Sequence, residues 1–201
     1  MNDHQALRPL RAIGGWTVTL LCIDATFALL GAANALIELR LLGRIASDPS
    51  EPSLQTALRD AALRRALLHG GTLVATLVTA VVFLVWFHRA YGNLHIRGGV
   101  PRTTPGRATV SWFIPLGNLY LPYRAAQEIR VLSGEPTSSW VVFGWWAGWL
   151  LSALLGRLSA MALDEGALAQ GTRLLGGASL VAAGSALFGA VFVARVSRAQ
   201  A

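Results

Sequence analysis

The sequence predicts an all-α integral membrane protein, a four-helix bundle with a broken segment between its second and third spans. Of the 201 residues, 54% are hydrophobic and only 13% are charged, whereas soluble domains carry about 25% charged residues. The apolar residues gather in four stretches long enough to cross a bilayer, which takes about 20 residues of helix. A stretch rich in proline, glycine and arginine separates the second apolar stretch from the third.

The chain is predicted to form one membrane domain, 1–201, with spans at about 13–37, 70–91, 137–156 and 174–194. Ala33-Asn34-Ala35 in the first span resembles a signal-peptidase site. The apolar run before it is longer than a signal peptide needs, so we predict that this span is not cleaved. Ser53 can cap a helix that begins at Leu54. We therefore predict a peripheral helix over about 54–69 that runs toward the second span.

Residues 105–132 are predicted to form a broken interfacial or re-entrant segment. The alternative makes 108–123 a fifth span, but this run has only 16 residues, which is short for a crossing. It contains Pro115 and Pro122, each of which removes a backbone hydrogen-bond donor. Broken backbone survives at membrane depth only where protein or water surrounds it. A broken segment is therefore favoured over a fifth span.

The arginine distribution predicts the orientation. All 17 basic residues are arginine and the formal net charge is +7. With four spans, ten arginines lie on the side that holds both termini and the middle loop, and seven lie on the other. The positive-inside rule then places both termini in the cytoplasm. No basic cluster interleaved with aromatic residues occurs, so we expect membrane lipids and not nucleic acid as partners.

Asp24 lies near the middle of the first span, where an ionised carboxylate costs at least about 2.5–3.5 kcal/mol. It is predicted to face inward, either to handle protons or ions or as a satisfied structural contact. Its candidate hydrogen-bond partners are Thr17, Thr26, Thr76, Thr79 and Ser152. No phosphate-binding loop, nucleophile elbow or zinc-protease motif occurs. Neither the histidine spacing nor the single Cys22 suits a metal site. We therefore expect no cofactor, no metal and no catalytic residues.

The third span carries a stripe of small residues, spaced every four positions: Gly144, Gly148, Ser152 and Gly156. Such a stripe lets another helix come close, either within the bundle or from a second copy of the chain. Tryptophans gather near one end of the same span: Trp140, Trp145, Trp146 and Trp149. An aromatic belt at the membrane interface explains them.

The end of the second span and the segment after it resemble a bacterial membrane family, domain of unknown function 4328. The matching positions are Trp86, Arg89, Ala90, Asn93, Pro105, Gly106, the run 112–119 and Pro122. His88 stands where the family is expected to have tyrosine. The resemblance implies a multi-pass bacterial membrane protein and supplies no established activity, cofactor or catalytic residue.

The same motif has a physical interpretation. Arg89 and Asn93 share a helix face, and the prolines leave free carbonyls around Asn118. We predict that Arg89 or Asn93 contacts this broken backbone and docks it. The motif is then either a device that holds the loop or an interaction site. The candidate interaction residues are Arg89, Asn93, Trp112, Pro115, Asn118, Pro122 and Arg124.

The predicted function is non-enzymatic: an interaction, scaffold or sensor module that acts through the cytoplasmic face. A second copy of the chain or another protein is its expected protein partner. The alternative is a small transporter or channel that uses Asp24 and the broken segment.

Overall fold

The computed structural model describes residues 7–48, 50, 52–134 and 138–201. Residue 137, the predicted start of the third span, lies outside them. Over the described residues the chain is helical and contains no strand. The helices are α1 Arg11–Ser47, α2 Pro52–Ile96, α3 Pro105–Val110, α4 Leu121–Leu132, α5 Ser139–Asp164 and α6 Leu168–Ala199. The predicted all-α fold is confirmed.

Four of these helices, α1, α2, α5 and α6, are long and apolar enough to cross a membrane. Even α5, with 26 residues, extends roughly 39 Å at the usual helical rise, more than the hydrocarbon core of about 30 Å. In the most apolar window of each helix, only 17–39% of the residues are buried inside the protein. Apolar surface on that scale fits contact with lipid.

The predicted peripheral helix and second span belong to one helix, α2, which has 45 residues. Gly70 and Gly71 lie inside it and do not end it. An interior glycine weakens a helix by about 1 kcal/mol without breaking it. Gly71 also packs closely, because a Cβ atom there would lie 2.8 Å from the ring of Phe27 on α1. The glycine therefore allows α1 and α2 to approach each other.

The chain divides into two compact units. Unit 1 comprises Met1–Cys22, Leu77–Trp146 and Leu187–Ala201, and unit 2 comprises Ile23–Thr76 and Ala147–Ala186. Each of the four long helices contributes residues to both units. The candidate site described below lies within unit 1.

Aromatic side chains form the core of unit 1. Phe83, Trp86 and Phe87 of α2 pack against Trp145 of α5 and Phe192 of α6, and Trp112 joins this cluster. The ring centroids lie 5.4–6.0 Å apart, within the range of favourable aromatic pairs. Trp86 is fully buried and donates from Nε1 to Ser197 Oγ at 2.9 Å. This core fixes the end of α2 that carries the family-like motif.

Unit 2 packs through small residues instead. Ala25 and Ala28 of α1 lie against Ala183 of α6. A buried polar network joins α1 to α2: Asn34 Nδ2 donates to Glu38 Oε1 at 2.8 Å and to the Ala61 carbonyl at 3.2 Å. Arg65 Nη1 donates to Glu38 Oε2 at 2.6 Å. The carboxylate of Glu38, only 2% exposed, is thus held by a cation and an amide.

Residues 108–123 do not form a fifth span. They contain the end of α3, two 3-10 turns, Ser111–Phe113 and Gly117–Leu119, and the start of α4. Thr104 caps α3 by accepting from the Arg107 N–H at 3.3 Å, and Pro122 lies in the first turn of α4. Between the turns, Leu116 has a φ of +63°, a region that side-chain-bearing residues rarely adopt. The predicted broken segment is therefore confirmed.

Candidate functional site

The positive charge of the protein is concentrated in unit 1. By sequence, unit 1 contains ten arginines and three acidic residues, whereas unit 2 contains seven of each. Unit 1 therefore accounts for the whole net charge of +7. Glu128 is the only acidic residue within the described part of unit 1. A surplus of this kind favours anionic partners.

A cavity of about 490 Å³ opens in unit 1 beside the broken segment. Its polar lining comes from three arginines, Arg102, Arg107 and Arg124, with Glu128, Tyr91 and hydroxyl residues. Its apolar lining includes Val110, Ile114 and Leu121. Ligand pockets in proteins usually measure about 300–1,000 Å³ and combine apolar walls with a few polar groups. This cavity has the size and the mixed lining of a binding site.

Glu128 organises the polar side of this cavity. The Tyr91 hydroxyl donates to Glu128 Oε2 at 2.5 Å, and the Arg102 backbone N–H donates to the same oxygen at 3.3 Å. Arg102 Nε lies 3.7 Å from Glu128 Oε1. By contrast, neither Arg107 nor Arg124 forms an ion pair within the described residues. Two guanidinium groups at the cavity are therefore available to an anion.

A second cavity, of about 410 Å³, shares Arg102, Arg124 and Glu128 with the first. Its remaining lining comes from Val100 and from α4 with the residue before it: Tyr120, Tyr123, Gln127, Val131 and Leu132. Arg124 thus lines both cavities. Of the seven interaction residues predicted from the motif, Arg124 is the one that lines either of them.

Asn93 is fully buried, and its side-chain hydrogen bonds go to Arg8 and not to the broken segment. Its Oδ1 accepts from the Arg8 backbone N–H at 2.9 Å, and its Nδ2 donates to the Arg8 carbonyl at 3.0 Å. Asn93 therefore pairs with the chain just before α1. Nearby, Arg97 Nη1 donates to the Ala199 carbonyl at 2.8 Å. Both ends of the described chain are thus attached to the last turns of α2.

Arg89 was expected to donate hydrogen bonds to the broken segment, and this expectation is wrong. Arg89 is partly exposed and forms no hydrogen bond or ion pair within the described part of the chain. Instead, Trp146 Nε1 donates to the Leu119 carbonyl at 3.2 Å. The broken backbone was correctly expected to need a donor, but an indole of α5 supplies it. An i,i+4 pattern on α2 could not reveal this long-range contact.

The other motif residues belong to the aromatic core, the turns or α4, and do not line either cavity. Trp112 belongs to the aromatic core, and the Pro115 carbonyl accepts from the Gly117 N–H at 2.7 Å. The Asn118 N–H donates to the Ile114 carbonyl at 2.8 Å, and Pro122 is buried in α4. These residues shape the turns that present the cavity lining.

Sequence reasoning missed Tyr91, Arg102, Arg107 and Glu128. Arg102 lies in the loop after α2 and Arg107 lies in the six-residue helix α3. Neither stretch has a periodicity that would place it beside α4. The position of Glu128 in the sequence could have predicted that it pairs with arginines near Arg124. It lies one helical turn after Arg124 and is an isolated acidic residue in a stretch rich in arginine.

Among the described residues, His88 and Thr109 form a pair that resembles a catalytic base with a nucleophile. His88 Nδ1 lies 3.2 Å from Thr109 Oγ1, and this hydroxyl donates to the Pro105 carbonyl at 2.9 Å. The hydroxyl proton is directed to a carbonyl and not to the imidazole. The arrangement does not activate Thr109 as a nucleophile.

Asp24 lies in unit 2 and accepts from Thr76 Oγ1 at 3.3 Å. Thr76 was among its expected partners. A cavity of about 220 Å³ in the same unit is lined by residues that include Asn34, Arg65 and His69, but Asp24 does not line it. Asp24 is therefore partly exposed, and its carboxylate is hydrogen-bonded to Thr76.

Members of the small-residue stripe on α5 have different surroundings. A Cβ atom at Gly144 would lie 3.0 Å from the Phe188 ring, and one at Gly148 would lie 2.9 Å from Ser185 Cβ, both on α6. Ser152 donates to the Trp149 carbonyl of its own helix at 2.8 Å. Gly156 has no atom within 4 Å of its Cβ position. Close contact with α6 therefore involves Gly144 and Gly148.

Comparison with known proteins gives one family. No curated protein and no solved structure matches the chain. A family model described as "Domain of unknown function (DUF4328)" matches residues 51–198, which include α2 to α6 up to Arg198 and leave out α1. This match confirms the resemblance seen in the motif and covers well over half of the sequence. The chain belongs to the family of domain of unknown function DUF4328.

Proposed function

We propose that this multi-pass membrane protein is a non-enzymatic interaction, scaffold or sensor module, and that it acts through the face formed by the segment between α2 and α5. The observation that carries this proposal is the pair of open cavities around Arg124. They lie in a unit that is otherwise held by a tightly packed aromatic core and that contains the whole net positive charge. Open cavities with a mixed polar and apolar lining on a rigid support suit recognition.

We further propose that this face and both termini lie in the cytoplasm, with the protein in a bacterial inner membrane. The ten arginines on the side of the termini and the middle loop support this orientation through the positive-inside rule. The attachment of Arg8 to Asn93 and of Ala199 to Arg97 supports a common side for both termini and the end of α2.

Cysteine labelling tests this orientation. In a Cys22→Ser background, we expect a membrane-impermeant maleimide to label Glu165→Cys in intact cells, because four crossings place the α5–α6 loop outside. Ala201→Cys is expected to react only after permeabilisation. The reverse pattern would place the proposed face outside the cell and contradict the proposal.

Photo-crosslinking tests the interaction role. Val131 is 58% exposed and lines the second cavity, whereas Val81 is 64% exposed on α2 of the same unit and lines neither cavity. With a photoreactive amino acid at position 131 in living cells, we expect discrete protein adducts that mass spectrometry identifies. The same group at position 81 is expected to react mainly with lipid.

Two further results decide the outcome. Arg124→Glu should remove the adducts at position 131, while Arg195→Glu, an exposed arginine of α6 in the same unit, should leave them. Equal adducts at positions 81 and 131 would refute a specific face. In proteoliposomes, a proton flux that Asp24→Asn abolishes would instead establish the transport alternative, for which the position of Asp24 offers no comparable support.

A further inference from the structure

The cavity beside the broken segment combines two available cations with an aliphatic wall. Arg107 and Arg124 line it without an ion pair in the described chain, while Glu128 is already occupied by Tyr91 and Arg102. Guanidinium groups bind phosphate through paired, charge-assisted hydrogen bonds. The polar half of the cavity therefore suits a phosphate group.

The apolar wall of the same cavity indicates which kind of phosphate-containing ligand fits it. Val110, Ile114 and Leu121 contribute its wall, and all three are exposed. Inorganic phosphate would leave this wall unused. Tyr91 is fully buried and its hydroxyl is bound to Glu128, so the one aromatic residue of the lining offers no open ring on which a nucleotide base could stack. An aliphatic chain attached to the phosphate fits the wall better.

The broken segment also presents exposed apolar side chains next to this wall. Leu116 is 82% exposed and Phe113 is 70% exposed. Leu116 is held at a φ of +63°, a conformation that costs a leucine about 1–3 kcal/mol. Because the segment adjoins the ends of membrane-spanning helices, insertion of these side chains among lipid headgroups and acyl chains would bury them.

We propose that the cleft between α3 and α4 binds the phosphate headgroup of an anionic phospholipid, with Arg107 and Arg124 on the phosphate and the acyl chains against Val110, Ile114 and Leu121. This inference rests on the proposed function and specifies a ligand for the same face. Arg102 lies at the polar side of the site, with its Nε 3.7 Å from Glu128 Oε1. The remaining arginines of unit 1 attract the anionic surface in general. Arg107 and Arg124 contact the phosphate, and their two positive charges disfavour a headgroup that also carries a cation, such as phosphatidylcholine.

Binding to defined lipids tests the proposal. Full-length protein in nanodiscs of phosphatidylcholine would be titrated with phosphatidylglycerol of the same acyl chains, and bound lipid would be counted by native mass spectrometry after extraction in mild detergent. We expect one tightly retained phosphatidylglycerol, preferred over phosphatidylcholine by about tenfold or more. Arg107→Gln/Arg124→Gln should lose this preference.

Matched controls separate a site from a diffuse charge effect. Arg195→Gln/Arg198→Gln removes two exposed arginines from the same unit, away from both cavities, and should keep the preference within about twofold. If both double variants lose it equally, the attraction is diffuse and the site is refuted. If the cleft double variant does not fold, Arg107→Gln alone suffices, because this side chain is exposed and its loss should still weaken the preference.

Soluble anions distinguish the source of the phosphate. Inorganic phosphate or glycerol 3-phosphate at millimolar concentration should not displace the retained lipid. Displacement by either would assign the cleft to a soluble anion and overturn the lipid proposal. If wild-type protein shows no phosphatidylglycerol preference while the adducts at position 131 persist, this inference fails and the proposed interaction role stands.

Discussion

Replacing Arg65 by alanine is expected to lower the free energy of unfolding by about 3–5 kcal/mol. Arg65 is the cation that pairs with Glu38, and it contacts Oε2 at 2.6 Å. Without it, a carboxylate that is 2% exposed would retain the Asn34 amide but lose its ion pair. Unfolding of the purified protein in one detergent, followed by circular dichroism, measures the change.

Two variants show whether the buried charge causes this loss. Arg64 donates from Nε to Asn34 Oδ1 at 3.2 Å, and its charge acts on Glu38 less than that of Arg65 does. Arg64→Ala should therefore cost only about 1 kcal/mol. Glu38→Gln added to Arg65→Ala should recover much of the stability, because no charge is then left without its partner. Equal losses for Arg64→Ala and Arg65→Ala, or no recovery in the double variant, would contradict the assigned role of the ion pair.

This network illustrates what a single sequence hides. On one helix, Arg64 has Asp60 as its i,i+4 neighbour, and that pairing is visible from spacing alone. In the structure Arg64 reaches Asn34, 30 positions earlier in the chain. Spacing within a helix is local information, whereas the pairing of α1 with α2 depends on how two helices pack. The sequence therefore predicted the helices and missed the polar contacts between them.

The tryptophans of α5 also show the difference between what the local sequence predicts and what helix packing decides. An aromatic belt was expected from their position at one end of a span. Trp140 is 72% exposed, as a belt residue would be, but Trp145 and Trp146 are buried at 7% and 5%. They pack in the core of unit 1, where Trp146 also donates to the Leu119 carbonyl. The sequence showed that tryptophans gather at this end of α5. It could not show which of them face lipid and which lie in the core, because that depends on how the helices pack.

The broken segment could be predicted well because its causes are local. Prolines and glycines act on the backbone at their own positions, so the loss of regular helix over 108–123 follows from the sequence. The candidate site is different. Arg124 was identified through its place at the end of the motif, whereas Arg102 and Arg107 reach the cavity through the loop after α2 and the short helix α3. The path of this stretch is set by tertiary contacts that include the Arg102 N–H with Glu128 Oε2.

The second large effect is expected at Gly148, where leucine should destabilise the protein by about 1–3 kcal/mol or more. A Cβ atom at this position would lie 2.9 Å from Ser185 Cβ and 3.4 Å from Ser185 Cα. Because the Cβ atom of Ser185 moves only with the α6 backbone, a side-chain rotation cannot make room and the helices must separate. Thermal unfolding in one detergent should show a lower melting temperature.

Gly156 on the same helix provides a matched control for this substitution. It has no atom within 4 Å of its Cβ position and lines the cavity of about 220 Å³ in unit 2, so Gly156→Leu adds the same side chain and the same gain in helix propensity where the new Cβ atom meets open space. The difference between the two variants therefore isolates the contact with α6. Ser185→Gly should partly rescue the milder variant Gly148→Ala, because it removes the atom nearest to the new Cβ. Unchanged melting of Gly148→Leu together with a smaller oligomer would show instead that the stripe faces a second copy of the chain.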